Sequence, residues 1–546
     1  MSLPSSSCMS SLRETAVTSR PITGTHGRGR AKGAGQSRLP ARGAFEGSDQ
    51  SAVLRNVRRV GPAALAVQLA GFLVLGALEF RSGALSFDFT GYAQAWWLVS
   101  PTRLDPYVST LGLHFLANDA ELILWPLATL RPLFPSSFVL IAAQAVAVSG
   151  ASLVALWCSL DMLDKRVVLG NAIHPLVPWA VLVAVVLDPW AYLTVAYPFH
   201  IEPFVGLLVM LAVRELWAGR RRRGLVIGVL LVVTGTVGSL SMVGLGLGEV
   251  LARRGRSWAG VALVAVGLGW LLLLGTFHLV GSGGQFSTLE LGYLVPHAGG
   301  PLGLAEIARG AVLHLGRLWA NVRPQLPYIA LVLLPLGLIG AVTWRGATLV
   351  LTVFGPAVAL AGGPYASPAF VFQVWPALLP VLVGSVSVLA RFPPRRARLV
   401  RDAAVGWALL VAVFELQSLR AGLPGWLPVT SQEAATIHAL RLRIPVADEV
   451  VISQGIAGRF ADRPSLELLM HPVQALPINR RTVFLILAPD VGQVQVSPAS
   501  TRAFAAAVAS RLGAQLVVAS DGVFCYRWRP AAGIRAVIFP SGALLR

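Results

Sequence analysis

The feature that most constrains this chain is the recurrence of charge-free apolar runs, each near 20 residues, between residues 61 and 420. Twenty helical residues rise about 30 Å, the thickness of a bilayer's hydrocarbon layer. A bundle of such runs is what a chain needs to cross a membrane repeatedly. Composition agrees, with 55% hydrophobic residues, 13% charged residues and a mean hydropathy of +0.68. Soluble proteins carry roughly 25% charged residues. An ordinary soluble enzyme is excluded, and so is a disordered or fibrous chain.

The runs predict spans at 61–80, 136–157, 176–192, 199–217, 257–280, 326–344, 347–362, 370–390 and 403–419. The stretch 225–250 is apolar but interrupted by Gly235, Gly238, Ser239, Ser241, Gly244, Gly246 and Gly248, with arginines on both flanks. The chain carries 45 basic and 25 acidic residues, a net +20, and its only lysines are Lys32 and Lys165. These cations fall in short loops, which points to topology and lipid phosphate rather than nucleic acid. If 225–250 folds back to the side it started from, Lys165, Arg166, Arg220–Arg223, Arg253–Arg256, Arg345 and the cluster Arg391, Arg395, Arg396, Arg398 and Arg401 share the side of the basic N-terminal arm. A single crossing would put that last cluster on the opposite side. The positive-inside rule therefore favours a hairpin or re-entrant segment.

The expected fold is an all-α polytopic membrane protein, with about nine spans plus a re-entrant or hairpin segment, and a small C-terminal α/β extracytoplasmic domain. Residues 1–60, rich in Ser, Gly and Arg, read as a disordered basic cytoplasmic arm, with an organellar transit peptide as the rival. Residues 61–420 form the transmembrane domain, its first span retained as a signal anchor. In 421–546, strand-like runs at 450–453, 483–487, 515–519 and 523–528 alternate with a helical pattern at 500–512. These assignments predict an integral plasma-membrane protein with a cytoplasmic N-terminus. Cys8, Cys158 and Cys525 are too scattered for a disulfide framework or a metal knuckle.

Ionisable groups are expensive inside lipid, so their placement is informative. The middles of the spans are almost free of them, which counts against ion-coupled transport. Acids and histidines gather instead in the outer segments. Asp88 sits among aromatics in Ser86-Phe87-Asp88-Phe89-Thr90-Gly91-Tyr92. That setting suits a general base raised in pKa by desolvation, with rings that could stack on a sugar, or equally an interfacial aromatic belt with an acid facing water. His114, Asn118 and Glu121 would share one face of an interfacial helix, which leaves a divalent metal ion open as a cofactor beside a plain solvated face. His200 and Glu202 open a helix whose dipole also favours the acid. From Leu304 to Arg323 a basic amphipathic helix is expected. Ile307, Leu315, Leu318, Trp319 and Val322 lie on one side, and Arg309, Arg317 and Arg323 on the other. Its arginines suit lipid headgroups or the phosphate of a lipid-linked substrate. Gly244-Leu245-Gly246-Leu247-Gly248 lacks the strand–turn–helix context of a nucleotide loop and reads as helix packing.

Several of these motifs resemble the bacterial membrane proteins grouped as domain of unknown function 2079. They are Phe87-Asp88 with Gln94 and Trp97, His114-Phe115 with Pro126-Leu127, Phe199-His200 with Glu202, and Ile444-Pro445 leading into Val450–Ser453. The resemblance covers roughly residues 61–530. That family is similar in layout to type C membrane glycosyltransferases. The resemblance implies inverting transfer of a sugar from a polyprenyl-phosphate donor to a glycan or lipid acceptor outside the cytoplasm. It implies Asp88 as catalytic base, with Gln94, Trp97, His114, Glu121, His200, Glu202, Arg309, Arg317 and Arg323 binding substrate. The chain departs from the pattern at Ser239-Leu240-Ser241, where a charged pair is expected, and this puts activity in doubt. The alternative class is a non-catalytic lipid or polymer translocator, or an envelope assembly factor.

Overall fold

The computed structural model describes residues 42–83, 85, 87–168, 173–277, 291–295, 303–360, 371–391, 397–426, 429–491 and 496–545. The arm up to residue 41, Ser86 and the arginines Arg395 and Arg396 lie outside the described residues.

Away from water an apolar run satisfies its backbone only by closing into a helix, and helices stand over most of the expected runs. The span expected at 326–344 is instead a short helix followed by 3-10 turns on either side of Gly337, whose φ is +77°. In chain order the first ten are α1 (Arg42–Ser82), α2 (Phe87–Leu98), α3 (Leu124–Ala128), α4 (Phe138–Val168), α5 (Leu176–Val186), α6 (Pro189–Ala196), α7 (Glu202–Trp217), α8 (Arg221–Val229), α9 (Gly235–Ala252) and α10 (Trp258–Thr276). They are followed by α11 (Gly303–Leu313), α12 (Leu315–Val322), α13 (Leu326–Leu333), α14 (Trp344–Ala359), α15 (Val371–Leu389) and α16 (Ala397–Trp426). Against about nine expected spans, six stretches among the described residues are long and apolar enough to cross a membrane: Gln50–Ser82, Phe138–Val168, Leu176–Ala196, Arg221–Ala252, Trp258–Thr276 and Val371–Leu389. The most apolar part of Val371–Leu389 is 83% buried and that of Gln50–Ser82 only 22%, so α15 is the centre of the bundle and α1 lies on its rim.

Two boundaries differ from expectation. Helix α1 starts at Arg42, so residues 42–60 are helical rather than part of a disordered arm. Ion pairs carry the helix past its apolar run: Arg58 lies 2.9 Å from Asp161 and 3.4 Å from Asp164 at the far end of α4. Helix α16 continues to Trp426, past the boundary expected at 420.

The segment 221–252 folds back on itself. A straight helix of its 32 residues would be about 48 Å long. Both of its ends instead touch Leu216, at the end of α7. A Cβ on Gly224 would stand 2.6 Å from the Leu216 side chain, and Arg253 donates to the Leu216 carbonyl at 3.1 Å. The reversal falls at Gly235, whose φ of +72° is open to glycine and costly for other residues. Helix α10 then runs antiparallel to α9. A Cβ on Gly246 would lie 2.6 Å from the Gly260 carbonyl, and one on Gly260 would lie 2.7 Å from the Gly246 carbonyl. The glycine run is therefore a helix contact, and no phosphate cradle surrounds it.

This path gives the helical body two unlike ends. At one, Glu249 holds Arg253 and Arg345 at 2.7 Å each, and Arg214 lies 3.5 Å from Asp161. At the other lie α2, the loop 107–123, the turn 197–202 and the hairpin tip at Gly235. The tip is tied to that loop by the Ile123 amide on the Val233 carbonyl at 2.8 Å and the Thr236 hydroxyl on Asp119 at 3.0 Å.

The C-terminal region is α/β. After α17 (Ser431–Arg443), capped by the reciprocal Thr430–Glu433 pair, a five-stranded mixed sheet forms. Strands β1 (Tyr107–Val108) and β2 (Leu113–His114) make a separate small hairpin in the helical part. The sheet contains β3 (Glu449–Ser453), β4 (Leu466–Leu469), β6 (Val483–Leu487), β7 (Gln515–Ser520) and β8 (Val523–Trp528), in the order β4-β3-β6-β8-β7. Strand β5 (Gln474–Pro477) joins β9 (Ala536–Phe539) and β10 (Ala543–Leu545) in an antiparallel trio. Helix α18 (Pro498–Arg511) packs on the sheet through Phe504 and Val508, which are fully buried. The region seats on the end bearing α2. Arg459 lies over the Phe80 ring at 4.7 Å and donates to the Phe80 carbonyl at 2.9 Å.

The Gly246–Gly260 contact sets a stability expectation. Gly246→Val forces α9 off α10 and lowers stability by about 1–3 kcal/mol, the usual cost of overpacking. Gly269→Val, on α10 with nothing within 4 Å of its Cβ position, leaves the thermal midpoint in detergent unchanged.

Candidate active site

Helix α2 presents Asp88 in its first turn, where the backbone amides favour a carboxylate. Tyr92 lies one turn on and so shares its face. Two further segments close around them. The loop 107–123 brings Glu121, whose Oε1 accepts from the Tyr92 hydroxyl at 2.8 Å. The turn between α6 and α7 brings Tyr197, whose hydroxyl donates to Asp88 Oδ2 at 3.3 Å, together with His200 and Glu202. His200 Nε2 lies 3.9 Å from Asp88 Oδ2, and its Nδ1 lies 3.8 Å from Glu202 Oε2. The imidazole is held in place by Phe372 of α15, stacked at 3.9 Å between centroids. Acid, imidazole and acid thus stand in a row, each just beyond hydrogen-bonding distance of the next.

Three atoms in this group are buried with no hydrogen-bond partner: Glu121 Oε2, His200 Nε2 and Glu202 Oε2. An unsatisfied buried polar atom is costly, so a cluster of them marks a place where a polar ligand gains on binding. Asp88 keeps 37% of its side-chain exposure. It sits in a pocket of about 60 Å³ open to solvent, with Gly91, Tyr92, Ala95, Leu111 and Asn118 around it. That volume admits a few waters or one hydroxyl-bearing edge of a larger molecule. Removal from bulk water pushes the Asp88 carboxyl up to about 6, although the Tyr197 hydroxyl and its own backbone amide pull the other way. Burial, with the nearby Asp119 charge added, drives Glu121 well above the carboxylate range. Burial thus raises the carboxyl groups of Asp88, Glu121 and Glu202 together. Among the described residues no three His, Cys, Asp or Glu side chains are placed to hold a metal ion.

Of the residues expected here, the structure brings together Asp88, Glu121, His200 and Glu202. Gln94 is elsewhere and is fully engaged by protein. Its Nε2 donates to Ser109 Oγ and to the Arg463 carbonyl, both at 2.9 Å, and its Oε1 accepts from the Thr110 amide at 3.0 Å and hydroxyl at 2.8 Å. With two donors and two acceptor sites filled, nothing remains for a substrate. Gln94 is a clamp between α2, the loop 107–110 and the C-terminal region. Trp97 is nine residues from Asp88, half a turn out of phase, and packs into the apolar cluster behind α2. Phe89 is buried as well, against Gly458, so it offers no face to a sugar.

The single helical face expected for His114, Asn118 and Glu121 does not form. His114 belongs to β2, Phe115–Ala117 is a 3-10 turn, and Asp119 and Ala120 have φ of +69° and +47°. The chain reverses there, so His114 points outward, 60% exposed and 3.1 Å from the Asp105 carbonyl, while Glu121 turns inward. The basic helix expected over 304–323 is broken at His314 into α11 and α12. Arg309, Arg317 and Arg323 are exposed, as are Val312, Leu313, Leu315 and Trp319. Among the described contacts none joins these arginines to the Asp88 cluster. Ser239, at the departure from the family pattern, donates to the Gly235 carbonyl of its own helix. Tyr197 and Phe372 received no role from sequence, and Tyr92 only that of one ring in the aromatic segment around Asp88. Only Tyr92 carried a signal, its one-turn spacing from Asp88.

The Gln94 assignment is checked by Gln94→Leu. As a clamp, its loss leaves Thr110, Ser109 and the Arg463 carbonyl short of partners at about 1–3 kcal/mol each. The thermal midpoint falls and the C-terminal region opens to protease. A ligand contact would lose affinity and keep its stability.

No curated protein matches the chain. Among solved structures, the crystal structure of ArnT from Cupriavidus metallidurans in the apo state is similar at TM-score 0.48 and 12% identity, over 86% of this chain and 98% of that one. The family model described as "Predicted membrane protein (DUF2079)" matches residues 81–502, from the end of α1 to the start of α18. The chain belongs to that family of membrane proteins.

Proposed function

We propose that this membrane protein is an inverting glycosyltransferase, moving a sugar from a polyprenyl-phosphate donor to the hydroxyl of a glycan or lipid acceptor. The observation that carries this reading is Asp88: a half-exposed carboxylate on the wall of an open pocket, with a pKa of about 6 and unpartnered polar atoms close by. A base works best when its pKa lies near the working pH. Asp88 takes the proton of the acceptor hydroxyl as its oxygen attacks the anomeric carbon. The carbon–oxygen bond to the phosphate breaks with inversion, and polyprenyl phosphate leaves. Phosphate is a weak base, so its departure needs no strict general acid.

Charge divides the labour. Asp88 lines the pocket, with Glu121 behind Tyr92 and Glu202 behind His200, and its carboxylate suits neutral sugar hydroxyls and disfavours a phosphate. The unpartnered atoms of Glu121, His200 and Glu202 are ready acceptors or donors for those hydroxyls. The donor phosphate falls to the exposed arginines Arg309, Arg317 and Arg323 on the surface helices. Val312, Leu313, Leu315 and Trp319 anchor these helices in the lipid where a polyprenyl chain runs. The arginine-rich end, with Arg214, Arg253 and Arg345, suits the cytoplasmic side, which leaves the pocket and the C-terminal domain outside.

Transfer is assayed by following polyprenyl-phosphate sugars and envelope glycans by mass spectrometry, with and without the protein. Asp88→Asn reduces transfer by about 10²–10⁴-fold at unchanged protein level. Asp88 must be ionised to act, so the wild-type rate is level above pH 6 and falls about tenfold per unit below it. Full transfer by Asp88→Asn overturns the assignment. Lipid-linked sugar that is bound or moved but never consumed replaces it with a translocator.

A further inference from the structure

The residues that place Tyr197 and His200 against Asp88 are themselves held by one side chain inside a membrane-crossing helix. Gln144 lies in the apolar first half of α4 and is fully buried. A primary amide there has to find partners, because lipid offers none. Its Nε2 donates to the Thr194 carbonyl at 2.8 Å and the Tyr197 carbonyl at 2.9 Å, and its Oε1 accepts from the His200 amide at 2.6 Å. Those groups are the free carbonyls at the end of α6 and the free amide before α7, the positions a helix leaves unsatisfied. The turn between them is not one the backbone prefers, since Phe199 has a φ of +30°. One amide thus closes a strained turn at both ends, and that turn carries both aromatic groups that face Asp88.

We infer that Gln144 is a positioning residue for Asp88, acting through the 194–200 turn and the Tyr197 hydroxyl. The inference rests on the reading of Asp88 as the base, but its consequence is a property of Asp88 that needs no transfer reaction to be seen. The Tyr197 hydroxyl stabilises the ionised carboxylate. Releasing the turn removes that donor and leaves only Asp88's own backbone amide against burial, so Asp88 holds its proton to higher pH. Of the other titratable groups around Asp88, only His200 moves with the turn, and burial pushes its imidazole down to about 3, so its displacement takes no positive charge from Asp88. Tyr92 is on its own helix, Asp119 and Glu121 are on the loop, and His200 and Glu202 are on the turn and α7. From the C-terminal region, Arg459 and Arg463 are occupied by the carbonyls of Phe80 and Phe460.

The test is carbodiimide modification of Asp88 as a function of pH, read by mass spectrometry of its peptide in the purified full chain, since carbodiimides react with protonated carboxyls. Gln144→Met keeps length and volume and removes the three hydrogen bonds. Tyr197→Phe removes only the hydroxyl. Each is expected to move the labelling midpoint up by about one pH unit, the worth of one hydrogen bond to a charged group. The double variant moves it no further than either alone. A folded Gln144→Met with the wild-type midpoint, or two shifts that add, overturns the inference. Should Gln144→Met fail to accumulate, Gln144→Asn keeps an amide in the span but withdraws it by one methylene, and the same two outcomes decide. A titration with no loss of transfer in Asp88→Asn would leave Gln144 placed and sink the catalytic reading alone.

Discussion

The arrangement of the whole molecule depends on the reversal at Gly235. Were residues 221–252 one straight crossing, α10 would enter the bundle from the other end and every later helix would be inverted. Because both ends of the segment return to Leu216, the Glu249–Arg253–Arg345 cluster forms at one end and the carboxyl-rich pocket at the other. The tip does more than turn. Gly235 packs directly against the Asp119 carbonyl and the Glu121 side chain, with no room for a Cβ. A glycine that permits the turn therefore also lets the loop press Glu121 toward Tyr92.

Around that reversal, polar side chains do the specific work of joining segments. Gln94 binds α2 to the C-terminal region, and Gln144 binds α4 to the α6–α7 turn. Asp188 caps α6 through the Trp190 amide and accepts from the Trp375 indole on the central helix α15. In an apolar medium an amide or carboxyl left unpaired is costly, so each such group fixes one arrangement of its neighbours. Beside the pocket three such groups come together. There the partners of Glu121, His200 and Glu202 are incomplete, which is the condition expected of a surface shaped for something else to bind.

Much of this was legible in the residues, for physical reasons. Apolar runs leave the backbone one option, so most helices fell where hydropathy put them, while the run at 326–344 breaks at Gly337. The charge rule picked the fold-back from the alternative, and the strands at 450–453, 483–487, 515–519 and 523–528 showed their apolar character. Strand β4 was hidden by Glu467 in its centre, and β5 by Gln474 and Pro477. Asp88, Glu121, His200 and Glu202 were identified from acids and histidines gathered on one side. The failures share a cause. Placing His114 with Glu121 assumed a helix where two positive φ angles reverse the chain, and Gln94 drew a binding role from its motif when its partners lie 15 and 369 positions away. Gln144 passed unnoticed because attention to ionisable groups in the spans overlooks a neutral amide. Long-range pairing of this kind leaves no local pattern.

The reversal is best tested by a distance. Spin labels at positions 220 and 254, in a background lacking the natural cysteines, report the separation of the two ends of the 221–252 segment by pulsed electron resonance. Return of both ends to Leu216 predicts a separation within about two helix diameters, roughly 20–24 Å. A distribution centred near 48 Å, the length of an unbroken helix of that size, would contradict the account and divide the acidic pocket from the end at which it is placed.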